Sequence, residues 1–347
     1  MEKNYLIYSK NQQNRRIPEI IFTRACCSLG IVIFHYFCRS RGNFKFLFRT
    51  SNSNFGFIFV TSFFTISGAV LYYNYPKIIS IKTFYYKRWR SIFPSFYICY
   101  SYYFVRNLFR YHKITHKIHW TKFFLTLIGL DGYFLYRIQN YYLVGEWFLG
   151  AIIIIYIFYP FLLWLMTNNY WIFINIVFVI FYFLMYKTDF FIIANERNII
   201  TCLTSFYFGM NAMKFRKFIN NNNILLLFAF VCFIILCSIK ISSFVLIHQI
   251  QGFSFFILSN KIGQYAMNSK LNKVLNEISN LSYIIFLYHH QITYDILNIN
   301  TSLKWYFHIL SVFIIFFITY IISKIHILVL NSVIKTCLFA KFESFFK

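Results

Sequence analysis

Acidic residues are scarce in this chain: nine Asp and Glu stand against 34 Lys and Arg over 347 residues. With 59% hydrophobic residues and a mean hydropathy of +0.57, that scarcity places the chain outside the soluble globular class. Eight cysteines are scattered, mostly in or beside apolar runs such as Cys26, Cys27, Cys232 and Cys237, with no C-x-x-C pair. No disulfide framework and no cysteine metal site is expected. A long basic arm and any nucleic-acid module are also missing, so the net charge of +25 points away from nucleic acid and toward topology and anionic lipid headgroups. Lys3, Lys10, Arg15 and Arg16 precede the first apolar run without a small-residue cleavage site, and that run is expected to stay attached. No repeat, linker or soluble domain interrupts the chain, which reads as a single integral-membrane domain over 1–347. It includes a short N-terminal segment, 1–16, and a tail at about 331–347.

What the chain has in quantity is apolar runs long enough to cross a bilayer. They fall at 17–38, 55–75, 92–109, 143–166, 171–187, 199–213, 224–239, 242–259, 281–297 and 305–330. The predicted fold is therefore all-α, a polytopic membrane bundle of about ten transmembrane helices. An eleventh run, 123–136, is short and broken by Gly129, Asp131 and Gly132, which suits a re-entrant or interfacial segment. Ten spans with a cytoplasmic start put the 77–90 loop, Lys214, Arg216, Lys217, Lys261, Lys270, Lys273 and the tail inside, the side that basic loops favour. Both termini are predicted to be cytoplasmic, in a multi-pass protein of the cell membrane.

The first span carries two ionisable residues, Arg24 and His35. Eleven helical steps place them about 20° apart in azimuth and about 16 Å apart in height, on one face of one helix. A snorkelling arginine and an interfacial histidine would satisfy position alone. Ionisable groups within spans nevertheless tend to face a bundle interior or a wet cavity and to carry function. In the second span FFTISG, Phe63 to Gly68, brings Ser67 and Gly68 to about the depth of Arg24, and small residues there let helices approach closely. KRWRSIFP, Lys87 to Pro94, sets a basic cluster at the mouth of the third span. It suits phosphate binding, and ordinary positive-inside charge would explain it as well. His112, His116 and His119 have helical spacing but no carboxylate or Cys to complete a ligand set, so no metal is expected.

In order, these pieces resemble the integral-membrane acyltransferase type 3 family. Arg24 and His35 match its Arg-x10-His motif, with Glu19 five residues before the arginine, and FFTISG is similar to its FFxxSG. Trp147, Phe148 and Leu149, followed by Tyr156 and Pro160, resemble its W-x-L…Y…P span; SYIIFLYH, Ser282 to His289, resembles its S-Y-x-x-Y-L-x-H. The likeness runs from Glu19 to about His289. Ser91 stands where many members have an arginine, which leaves Arg88 and Arg90 as the basic pair. Ile152 replaces the glutamate of the subgroup fused to an esterase-like domain, so any partner for final transfer is expected to be a separate protein.

The resemblance implies O-acylation, commonly O-acetylation, of a surface polysaccharide, lipid-linked glycan or other exported carbohydrate by cytoplasmic acyl-CoA, with acetyl-CoA as the expected donor. It makes His35 and Arg24 the catalytic candidates. Arg24, Ser67, Lys87, Arg88 and Arg90 become candidates for the acyl-CoA site, and Glu19, Glu146, Trp147 and His289 for the acceptor. His35 would serve either as general base or as covalent acyl carrier. Two other classes fit a polytopic chain with charged spans: a glycan transporter or flippase, which would favour paired inverted repeats, and a polysaccharide polymerase, which would favour a large polar external loop. The charge pattern makes a direct prediction about orientation. Single cysteines at Lys214 and Lys347 are expected to react with a membrane-impermeant thiol reagent only from the cytoplasmic side, and labelling of either from outside would overturn the assignment.

Overall fold

A computed structural model describes residues 17–40, 44, 47–111, 120–138, 144, 146–188, 191–241, 244–266, 271–299 and 304–335. Among them the chain is almost wholly helical; one isolated bridge, Arg49 to Asn54, is the only β pairing. The long helices are α1 (Pro18–Arg39), α2 (Phe55–Asn74) and α3 (Ile81–Tyr111). A short α4 (Phe123–Leu127) precedes α5 (Glu146–Thr167), α6 (Trp171–Lys187), α7 (Ile199–Lys214) and the short α8 (Arg216–Asn221). Then come α9 (Asn223–Ser238), α10 (Val245–Ala266), α11 (Asn272–Ile299) and α12 (Trp305–Ile334). Each of the ten expected spans coincides with a helix, because a backbone in lipid must satisfy its polar groups within its own segment. By length and composition α1, α2, α5 and α12 meet the demands of a span most fully, and α6 and α9 are shorter apolar helices. The proposed flanks, 1–16 and most of 331–347, lie outside the described residues.

Helix starts follow local chemistry. Asn54, Asn198 and Asn222 accept from the backbone N–H groups of Phe57 at 2.8 Å, Ile200 at 2.9 Å and Leu225 at 2.9 Å, capping α2, α7 and α9. Pro18 occupies the first turn of α1, where its missing N–H costs nothing. The structure departs from the sequence reading at α3. The basic residues 87–90, expected in a loop, lie within its first three turns, consistent with the good helix propensity of Arg and Lys.

The interrupted run 123–136 is too short to cross. It forms α4 and then a 3₁₀ turn at Tyr133–Tyr136, with Gly129 at φ +70°. Asp131 is buried there and accepts from the Thr126 hydroxyl at 3.1 Å and from the Gly132 N–H at 2.9 Å. Burial raises its carboxyl to about 6.

At the centre of the bundle α2 and α7 touch backbone to backbone. A Cβ on Gly68 would collide with the carbonyl oxygen of Phe206, and one on Gly209 with that of Thr65. Between them the Thr65 hydroxyl donates to the Ser205 carbonyl at 3.2 Å. Helix α10 joins the same group: the Ser62 hydroxyl donates to the Gly252 carbonyl at 3.3 Å, and Gln249 donates to the Thr201 carbonyl at 2.8 Å and the Ser205 hydroxyl at 2.7 Å. Helix α1 is tied to α10 by Thr23, whose hydroxyl lies 3.0 Å from that of Ser259 and donates to the Asn260 side chain at 2.7 Å. Small residues and interhelical hydrogen bonds are the main adhesives available inside a membrane. Gly68→Ala and Gly209→Ala are each expected to destabilise the protein by ~1–3 kcal/mol or more, because a backbone neighbour cannot move aside. Gly30→Ala meets only the tip of the Phe59 ring and should cost much less; thermal unfolding of the three purified variants in detergent makes the comparison.

Candidate functional site

Helices α1, α2, α3, α5 and α11, together with the connection between α6 and α7, enclose a cavity of about 590 Å³. It follows almost the whole of α2, from Asn54 and Gly56 to Val70 and Leu71, a length of about 24 Å at 1.5 Å per residue. Arg24, His35, Ser67, Arg88 and Trp147 all line it. Five residues singled out from four separate stretches of sequence therefore share one space. The walls between them are apolar or aromatic and include Ile31, Phe63, Ile152 and Phe286.

Arg24 is half-buried on the cavity face of α1. No carboxylate pairs with it among the described residues, and the cavity leaves room for water or a ligand anion beside the guanidinium. Ser67 directs its hydroxyl to the Phe63 carbonyl at 2.8 Å, so it narrows the wall without presenting a free donor. Arg88, from the first turns of α3, donates to the Tyr75 hydroxyl at 3.1 Å. Its guanidinium carbon lies 5.0 Å from the Tyr75 ring centre and 5.8 Å from that of Tyr156, and aromatic faces hold a cation in this way. Tyr156 reaches the cavity beside it. Lys87, whose ammonium lies 5.8 Å from the Tyr75 ring, and Arg90 are not among the lining residues.

His35 occupies the opposite end of α1's cavity face and meets α11. Its ring centre lies 5.2 Å from that of His289 and 4.4 Å from that of His290, with Phe34 at 5.1 Å. The two α11 histidines use their Nδ1 atoms differently. Nδ1 of His289 faces the carbonyls of Ile285 and Phe286 at 3.0 and 2.9 Å, so it carries the proton. Nδ1 of His290 lies 3.2 Å from Nη1 of Arg39, and since arginine only donates, this nitrogen accepts. The Arg39 guanidinium also stacks 3.9 Å from the Tyr294 ring centre. His290 and Arg39 had no distinguishing mark in the sequence, because their relation to His35 arises only when α1 and α11 pack.

Glu19 stands apart from the cavity. It is 4% exposed and forms an ion pair with Arg216 of α8 at 2.6 Å, where it fastens the start of α1. The Glu146 side chain and His112, His116 and His119 lie outside the described residues.

A helical membrane bundle with a polar-tipped internal cavity is the class that fold and site define. A family model described as an acyltransferase domain matches residues 17–327; the chain belongs to the acyltransferase type 3 family and is a membrane acyltransferase. No curated protein and no solved structure matches it significantly.

Proposed function

We propose that the chain moves an acyl group, chiefly acetyl, from cytoplasmic acyl-CoA to a hydroxyl of a cell-surface or exported carbohydrate. The observation that carries this reading is the single cavity on which Arg88, Arg24 and His35 all open. Arg88 holds the phosphates of CoA at the cytoplasmic end, and its planar guanidinium suits phosphate oxygens. The pantetheine arm passes Arg24 along the apolar walls and delivers the thioester toward His35. The acceptor arrives from the other mouth. His35, as a neutral imidazole, takes the proton of the acceptor hydroxyl while its oxygen attacks the thioester carbon. The carbon–sulfur bond breaks, an ester bond forms, and the proton returns to the departing thiolate. His289 and His290 pack around the His35 ring and limit its orientations. Neither the transporter nor the polymerase alternative has comparable support from the family match.

His35→Ala is expected to lower acyl transfer by ~10²- to 10⁴-fold, the usual contribution of a positioned acid or base, while acyl-CoA binding survives. Arg24→Ala should first weaken acyl-CoA binding or raise its KM. Steady-state kinetics on purified protein separate the two, and near-wild-type turnover by His35→Ala would make the histidine structural.

Arg88→Gln should weaken acyl-CoA binding more than Arg90→Gln does. The loss relative to wild type should shrink with added salt, because charge contacts open to water are screened over about 8 Å at physiological ionic strength. Equal, unchanged affinities in both variants would reduce the cluster to a topological role.

A further inference from the structure

The cavity has a second charged end that the acyl-transfer chemistry described above does not use. Glu196 and Arg197, from the connection between α6 and α7, line it together with Asn54, Phe57, Phe34 and Trp147. The turn that presents them is pinned: the Arg197 N–H donates to the Ala194 carbonyl at 2.8 Å, and the Thr201 hydroxyl donates to the Asn195 carbonyl at 2.7 Å. Asn198, the next residue, caps α7, the helix in backbone contact with α2. The Arg197 guanidinium carbon lies 5.8 Å from the Trp147 ring centre. Behind Glu196, the buried His248 of α10 brings Nδ1 to 3.8 Å from its carboxylate. A carboxylate, a planar five-donor guanidinium and an indole thus converge on the mouth of a cavity whose interior holds His35.

We infer that Glu196 and Arg197 form the acceptor subsite and that it takes a neutral sugar ring with adjacent hydroxyls. A carboxylate accepts hydrogen bonds from two neighbouring hydroxyls at once, and a guanidinium donates two in parallel. The indole supplies an apolar wall with a polar edge, suited to the apolar face of a sugar. One charge of each sign leaves this pair without net charge, so it offers no net attraction to a polyanion or to an acidic sugar. The inference rests on the carbohydrate reading above and adds the residues that hold the ring and the kind of ring they hold.

The test uses the full chain purified in a sugar-free detergent, with acetyl-CoA as donor and a panel of methyl hexosides and methyl hexuronides as acceptors. Neutral hexosides should be acetylated in preference to hexuronides. Glu196→Gln and Arg197→Gln should each raise the KM for the hexoside by ~10- to 100-fold, the usual weight of a hydrogen bond to a charged group, with the KM for acetyl-CoA at its wild-type value. Arg197→Lys, which keeps the charge but not the fork, should fall between. Wild-type hexoside KM in both Gln variants, or a preference for hexuronides, would overturn the subsite and leave the carbohydrate reading standing. A matching rise in both KM values would overturn it also, as the mark of a disturbed fold. Acetyl-CoA turnover by the wild type with no hexoside or hexuronide acetylated would remove the carbohydrate reading itself, and the subsite with it.

Discussion

The contact on which the rest of the bundle depends is the meeting of two backbones, α2 at Gly68 and α7 at Gly209. In lipid the hydrophobic effect gives helices little reason to prefer one another over acyl chains, so close packing and hydrogen bonding must select the partner. Here the selection is reciprocal: each glycine admits a carbonyl of the other helix. The hydrogen bonds of Thr65, Ser62 and Gln249 then gather α10 onto the same seam. With one side of α2 committed to that seam, another side is left to face the cavity. Arg24, Arg88 and His35 are arranged around this fixed wall.

The cavity also resolves an electrostatic difficulty. A cation in hydrocarbon is costly, and a buried cation without a counter-ion more so. Arg24 opens on a space large enough for water, and Arg88 leans on the aromatic faces of Tyr75 and Tyr156. Glu19, by contrast, is held tightly by Arg216. The charges inside the bundle therefore divide by task. Those that are neutralised within the protein fasten helices, and those facing the cavity remain available to a ligand.

Much of this was legible in sequence for a definite reason. Span-length apolar runs announce helices because lipid permits few other solutions, and the eleven-residue spacing of Arg24 and His35 fixes a shared face by geometry alone. Gly68 was legible through its neighbours in FFTISG; Gly209 was not, since a glycine in an apolar helix has no mark until its partner is known. The helical start of α3 was hidden by the polarity of residues 81–91, which hydropathy reads as loop. Glu19 sits where a family motif carries an acid, yet its partner, Arg216, is far away in the chain and meets it only through packing. Glu196, Arg197 and His290 were similarly silent.

One modest feature bears on how such a chain is assembled. Asn52 is buried between α1 and α2, and its amide group donates to the carbonyls of Leu236 and Ile239 at 2.6 and 2.7 Å and accepts from the Ile241 N–H at 2.6 Å. Its partners lie up to 189 residues further along the chain, which at ~5–20 residues per second is about 10 to 40 s of synthesis. During that interval α1 and α2 are already made while the segment joining them has only its local contacts, such as the Arg49 to Asn54 bridge, and lacks these distant anchors. The segment beside the cavity near Asn54 is thus anchored late, after the first helices have been in place for many seconds, and the His35 end of α1 waits longer still for its neighbours on α11.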